Sequence, residues 1–210
     1  MITPEGHSGI AFGETRDGNP RSDSNARLAM SESLAISNSW AFTNQIHGRI
    51  VLSVDEPGNA GDGDGLVTSK HALPIAMTTA DCVPVVLKGR ERVSVVHCGW
   101  RGIAQGIVEE ATRVFESDGS IVDAVVIGPH IGPCCYEVGR DVIDTLGVSA
   151  ARTTRGTRSV DLAAAIRTRL PTVEVTDVGI CTHHDDRFHS FRESRTPLRQ
   201  VTVAWIPKDS

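Results

Sequence analysis

No stretch of this chain stays apolar for long. The longest runs, such as Val83-Pro84-Val85-Val86-Leu87, fall far short of the ~20 residues that a membrane-spanning helix needs. The opening residues, Met1-Ile2-Thr3-Pro4-Glu5-Gly6-His7, lack the basic-then-apolar order of a secretory signal. Basic charge is not in excess: 21 Lys and Arg face 26 Asp and Glu, a formal net charge of −5. That balance argues against non-specific nucleic-acid binding, yet it leaves room for a local basic pocket around a small anion. The five cysteines, Cys82, Cys98, Cys134, Cys135 and Cys181, are too few and odd in number for a disulfide scaffold. Without an export signal they point to metal binding or catalysis. Also missing are a GxxxxGK[ST] phosphate loop, a GxSxG elbow and the HxE…PCxxC deaminase signature. No HxH pair occurs, the spacing with which multicopper oxidases hold a trinuclear centre. Gly61-Asp62-Gly63-Asp64-Gly65 looks like a calcium loop but lacks the later bidentate Glu. What remains is a cytoplasmic enzyme acting on a small molecule, with neither nucleic acid nor membrane as partner. Its oligomeric state is not legible.

The 210 residues, 40% apolar and 22% charged, fit one domain spanning 1–210, which buries roughly 70% of its unfolded surface. Residues 25–35 read as a short helix with a partly apolar face. Strands are expected at 50–54, 75–79, 84–87, 93–96, 124–127, 173–178 and 200–206, with a loop at 56–65. Residues 99–102 read as a turn. A helix follows it, carrying Ile103, Ile107, Val108, Ala111, Val114 and Phe115 on one face. A second helix fits 160–170, opened by Asp161 and closed by Pro171. Strands and helices alternate without a regular βαβ period, so a mixed α/β or α+β sandwich fits better than a Rossmann fold.

Three segments place a metal-ligating side chain at a strand end or tight turn: His47, Cys82 and His97. One thiolate and two imidazoles suit Zn²⁺ and leave a fourth position open. The spacings, 35 and then 15 residues, taken alone favour Cys82 as a small buried apolar residue and the histidines as turn caps. After His97, Gly99-Trp100-Arg101-Gly102 runs from a strand into a helix. Backbone N–H groups at a helix start attract anions, and Arg101 would add a charge-assisted grip. A structural glycine turn with a surface arginine reads the same way. Gly128 to Gly139, with its two Gly-Pro steps, suits a constrained pocket wall. Adjacent Cys134 and Cys135 do not readily share one ion and read as packing; His130 reads as a polar loop residue. Cys181-Thr182-His183-His184, with His189 and Arg192, reads as a rim or substrate wall, since an extended segment turns His183 and His184 to opposite faces. The basic stretch 152–158 reads as a solvated loop.

In order, Asn44-Gln45-Ile46-His47-Gly48, Asp64-Gly65-Leu66-Val67-Thr68, Thr79-Ala80-Asp81-Cys82-Val83-Pro84-Val85, His97-Cys98-Gly99-Trp100-Arg101-Gly102, Ile131-Gly132-Pro133-Cys134-Cys135-Tyr136-Glu137-Val138-Gly139 and Cys181-Thr182 resemble the YfiH-type family. Its members are described as polyphenol oxidases or laccase-domain proteins, and as purine nucleoside phosphorylases. The resemblance implies a single-domain α/β/β/α sandwich-like fold and a metal site made of His47, Cys82 and His97. It also implies an arginine near the site, matched by Arg16. The chain departs from the family after Thr15-Arg16, where the usual glycine-rich stretch is reduced to Asp17-Gly18-Asn19. The familiar Cys-Thr-x-Cys reads Cys181-Thr182-His183-His184.

The activity implied is zinc-dependent phosphorolysis of adenosine, inosine, guanosine or methylthioadenosine, together with adenosine deamination. For deamination, zinc would bring the pKa of a bound water toward ~7 for attack at the purine C6. Phosphate would lie at Arg101 and the helix start at Gly102. Trp100 or Tyr136 would stack on the base, and Asp81, the nearest carboxylate in sequence, would serve as general acid or base. Three rivals use the same residues. The first is a copper-dependent phenol oxidase at the His₂Cys site. The second is a Cys82 nucleophile with His97 as base, hydrolysing an amide such as a cell-wall muropeptide. The third is a non-catalytic metal binder.

Overall fold

The computed structural model describes residues 1–208. In chain order the strands are β1 (Ile10–Phe12), β2 (Ala41–Asn44), β3 (Val51–Ser53), β4 (Gly58–Asp62), β5 (Gly65–Thr68), β6 (Ile75–Thr79), β7 (Val83–Lys88), β8 (Val93–Cys98), β9 (Ala124–Ile127), β10 (Ala151–Arg152), β11 (Arg158–Ser159), β12 (Glu174–Asp177) and β13 (Gln200–Ala204). The helices are α1 (Ser24–Leu34), α2 (Trp100–Ala104), α3 (Ile107–Phe115), α4 (Arg140–Leu146), α5 (Leu162–Arg167) and α6 (Phe191–Ser194).

The near-continuous apolar runs of β7, β8 and β9 arise because their sheet is covered on both faces. Val83, Val85, Leu87, Val96, Cys98, Val125 and Ile127 face one core. Val86, Val93, Val95 and Val126, the alternate residues, face another. This sheet has the order β12-β9-β7-β8-β5-β3, and a second sheet has the order β1-β13-β6-β2-β4. Between them lies a core in which Ile10, Phe12, Ile75 and Met77 meet Leu66, Val86, Val95 and Val126. Outside the six-stranded sheet, helices α2 to α5 contribute Ile103, Ile107, Phe115, Val142, Leu146, Leu162 and Ile166. Outside the five-stranded sheet, Met30 of α1 packs with Trp40, Phe42, Ala76, Val201 and Val203. The expected α/β/β/α layering is the observed one. No helix among the described residues is long and apolar enough to cross a membrane.

Several elements differ from the pattern in the sequence. The loop expected at 56–65 contains β4, parallel to β2; it is an edge strand whose side chains are largely exposed, so no apolar alternation marks it. Gly99, expected in a turn up to residue 102, is the N-cap, and α2 starts at Trp100. The helix that was expected to run on is broken at Gly106, whose φ of 87° starts α3 afresh. Asp161 caps α5 as expected, accepting from the Ala164 N–H at 2.8 Å. Short α4 and α6 carry too few residues for a periodic signal.

Candidate active site

The site is assembled at the ends of β5, β7 and β8. Val83 pairs with Cys98 in the β7–β8 ladder, which sets Cys82 across from Gly99. His97, on the same face of β8 as Val93 and Val95, projects toward the space between the sheets. His47 arrives on a separate turn after β2, with φ of 57°. Asp64, wholly buried just before β5, ties these pieces together. Its Oδ1 accepts from the His47 N–H at 3.0 Å and contacts His97 Nδ1 at 2.8 Å. Its Oδ2 accepts from the Ile46 and Gly48 N–H groups at 3.2 and 2.7 Å. Burial alone would raise the Asp64 carboxyl, but the His97 hydrogen bond and charge, with the Gly48 and His47 N–H groups, overcome it and hold the carboxyl below its ordinary range. With Nδ1–H given to Asp64, His97 is left to present Nε2 toward Cys82, a carboxylate–histidine pair that orients the ring.

Potential ligand atoms of His47, Cys82 and His97 lie within 4.8 Å of one another. The two imidazoles meet edge to face, with centroids 4.7 Å apart. Burial pushes the Cys82 thiol up, and hydrogen bonds to His47 and His97 outweigh it, bringing the thiol down to about 6. Burial would likewise lower His97, but Asp64 and Cys82 raise it to about 9. The neighbouring Cys98 thiol is pushed far up by burial and by the charges of Cys82 and Asp64. A Cβ placed on Gly99 would sit 3.2 Å from both Cys82 Sγ and His47 Cδ2. Space at Gly99 is therefore kept open beside a thiolate–imidazole donor set, and these residues fit a divalent zinc- or copper-type ion.

Above the donors opens a cavity of about 690 Å³. Among the sequence candidates, Asp81, Trp100, Arg101 and Tyr136 line it. Arg101 is stacked over the Trp100 ring at 4.5 Å. Tyr136 lies under the Arg192 guanidinium at 5.0 Å; burial and the Cys82 charge raise its hydroxyl to about 12. Asp81 takes a left-handed φ of 85°. Both of its oxygens are engaged, one by the Thr182 hydroxyl at 2.8 Å and the other by the Arg192 N–H at 2.6 Å. Beside Cys82 and in the cavity lining, it anchors the rim through both of these hydrogen bonds.

Two expected anion-site residues lie elsewhere. Gly102 does not line the cavity: it is buried within α2, where an added Cβ would fall 2.8 Å from the Gly48 carbonyl. Its smallness serves the close approach of the His47 turn. Arg16 is 75% exposed, pairs with Glu14 at 2.8 Å and borders a separate hollow beside α1. The basic groups that reach the cavity with Arg101 are Arg21, Arg192 and Arg199. Arg21 is held by the Thr43 carbonyl and by Asn44 Oδ1. Gln45 closes the same wall through the Thr78 backbone, at 2.8 Å to its carbonyl and 2.9 Å from its N–H. Sequence reasoning missed Asp64, Arg21, Gln45 and Arg199 as site residues. Asp64 and Gln45 carried the available signal, their places in recognised motifs.

The remaining cysteines correct a second expectation. Cys134 and Cys135 are not simple packing residues: they gather with Cys181 and His184, with possible ligand atoms within 4.8 Å of one another. The turn from Gly132, closed by the Cys135 and Tyr136 N–H groups onto the Gly132 carbonyl, brings the adjacent thiols to one side.

A two-sheet sandwich covered by helices, with a thiolate–imidazole centre at its strand ends, defines the laccase-like YfiH class of protein. The chain belongs to this family: the model described as multi-copper polyphenol oxidoreductase laccase matches residues 7–207. A Corynebacterium glutamicum relative described as a purine nucleoside phosphorylase is 28% identical over 225 residues, covering 100% of this chain and 92% of that protein. A Xylella fastidiosa relative of the same description is 36% identical over 190 residues, covering 79% of this chain and 71% of its own. The crystal structure of Bacillus licheniformis hypothetical protein YfiH is similar with a TM-score of 0.78 at 26% identity, covering 90% of this chain and 82% of that one. Geobacillus stearothermophilus YlmD gives the same TM-score and coverage at 27% identity.

Proposed function

We propose that this protein is a zinc-dependent purine nucleoside phosphorylase, acting on adenosine, inosine, guanosine or methylthioadenosine, that also deaminates adenosine. It would do so in the cytoplasm as one catalytic domain. The observation that carries the reading is one cavity that joins the His47, Cys82 and His97 donors to a rim of four arginines, Arg21, Arg101, Arg192 and Arg199. The relatives described as purine nucleoside phosphorylases support it.

Phosphorolysis needs a dianion held against the ribose C1′ while the bond to the purine nitrogen breaks. Guanidinium groups suit that work, because they present forked donors to phosphate oxygens and stay charged. Trp100 and Tyr136 supply flat faces for the base. Asp81 fixes the start of α6 through the Arg192 N–H and so sets the position of the Arg192 guanidinium. Asp64 fixes both histidines. Zinc held by His47, Cys82 and His97 would supply Lewis acidity and bring the pKa of a water toward ~7. Copper would use the same three donors, and metal content decides between the two ions.

A second reading rests on the Asp64–His97–Cys82 alignment. In it Cys82 is the nucleophile, His97 its base and Asp64 the orienting group of an amide hydrolase. One experiment separates the two: incubation with adenosine and phosphate, before and after metal removal, with products read by mass spectrometry. Adenine with ribose 1-phosphate, and inosine, should form, vanish on chelation and return with zinc. If neither base nor inosine forms in zinc-loaded protein, the purine reading fails. Amide hydrolysis that survives chelation would favour the Cys82 nucleophile.

A further inference from the structure

Outside the cavity lies the group of Cys134, Cys135, Cys181 and His184, for which purine chemistry has no use. We propose that these four side chains hold a second ion, a structural Zn²⁺ with a closed Cys₃His shell, which clamps two turns behind the cavity wall.

The separations favour a shared ion. With Zn–S near 2.3 Å and Zn–N near 2.0 Å, the edges of a tetrahedron are about 3.8 Å between sulfurs and about 3.5 Å between sulfur and nitrogen. Cys134 Sγ lies 3.7 Å from Cys181 Sγ and 3.4 Å from Cys135 Sγ. His184 Nε2 lies 3.1 Å from Cys135 Sγ and its Nδ1 lies 3.8 Å from Cys134 Sγ; one ligand atom from each of the four residues falls within 4.8 Å of the others. A disulfide would use only two of these sulfurs, at about 2.05 Å, and leave the third thiol and the imidazole without a purpose. Three thiolates and one imidazole are instead a soft donor set of the kind that closes around zinc.

The backbone supports the same conclusion. Cys181 and His184 have Cys-x-x-His spacing, and the His184 and Asp185 N–H groups fold back onto the Cys181 carbonyl at 3.0 and 3.2 Å. That turn converts an extended pair of histidines into one in which His184 faces the cysteines. The Gly132 N–H donates to Cys181 Sγ at 3.2 Å, an outer hydrogen bond of the kind that stabilises metal-bound thiolate. A single bridge, His130 to Cys181, brings the two turns side by side.

The ion would link segments whose neighbours reach the cavity. Tyr136 follows Cys135 and lines the wall, while Thr182 follows Cys181 and donates to Asp81. With all four positions filled by protein, the second ion binds no substrate; it holds the wall.

Elemental analysis of protein purified anaerobically with reductant tests this without reference to activity. Two zinc ions per chain are expected, falling to one in Cys82→Ser and to one in a Cys134→Ser/Cys181→Ser variant. Cobalt exchanged into Cys82→Ser should give tetrahedral d–d bands with strong thiolate-to-metal absorption. In the wild-type chain, iodoacetamide should label Cys134, Cys135 and Cys181 only after chelation, as mapped by peptide mass; this arm holds even if the double variant does not fold. Equal labelling with and without chelator overturns the proposal. So does a single zinc that Cys82→Ser abolishes, or a disulfide among the three cysteines under those conditions. None of these outcomes depends on whether adenosine is a substrate.

Discussion

Asp64 has no part in contacting a substrate, yet four hydrogen-bonding groups from two parts of the chain meet at its carboxylate. Asp64→Asn replaces one oxygen by an NH₂ that must face N–H donors, so buried donors lose their acceptor. Stability should fall by about 2–3 kcal/mol, and zinc affinity at the His47–Cys82–His97 centre should fall about 10–100-fold. Denaturant melts and competition against a zinc chelator measure the two effects. An unchanged zinc affinity would show that His97 is oriented without Asp64. Residue chemistry offered His47, Cys82 and His97 as a donor set but left a buried Cys82 and turn-capping histidines open; the order of the family motifs is what singled the three out. Asp64 was not singled out, because a structural carboxylate in a Gly-Asp-Gly-Asp-Gly run looks like any polar loop residue. Arg16 misled for a related reason: a Thr-Arg pair marks a family position, whereas reach into a cavity depends on the path the chain takes, and here Arg21 makes the approach.

Elements explain which parts of the fold showed through. Strands β7 to β9 are legible because covering both faces forces a near-continuous apolar run. Strand β4 is not, because an edge strand of Gly58-Asn59-Ala60-Gly61-Asp62 gains its order from pairing with β2 and not from burial. The Cys₃His group was illegible because Cys134 and Cys181 stand 47 residues apart and meet through one bridge between irregular segments. Helix α2 matters for more than its start. Its Gly102 lets the Gly48 backbone come close, so Gly102→Ala should force the His47 turn away from the helix. Overpacking of this kind costs about 1–3 kcal/mol. The variant should melt earlier and bind zinc more weakly, by calorimetry and metal titration, whereas a direct phosphate-binding role for Gly102 would raise the KM for phosphate and leave zinc affinity intact.

Across the whole molecule, charge is unevenly spread. The chain carries a net −5, but its cavity gathers four arginines. A dianion approaching an acidic protein is thus drawn to one opening, and salt screens that attraction over about 10 Å at 0.1 M. Raising ionic strength should increase the KM for phosphate while leaving the KM for the uncharged nucleoside nearly constant, as steady-state kinetics in chloride would show. Equal sensitivity for both substrates would argue that the arginines do not gather phosphate.

The first centre is also mechanically lopsided. Cys82 and His97 border the same antiparallel ladder, where Val83 pairs with Cys98, so their spacing is set by the sheet itself. His47 is the exposed ligand, carried on a left-handed turn. The centre therefore resembles a vice with two jaws cut from one sheet and a third bolted on from outside it, where Asp64 accepts from three successive N–H groups of the His47 turn. An arriving ion would meet the exposed His47 imidazole first, and the two donors set by the sheet would complete its grip.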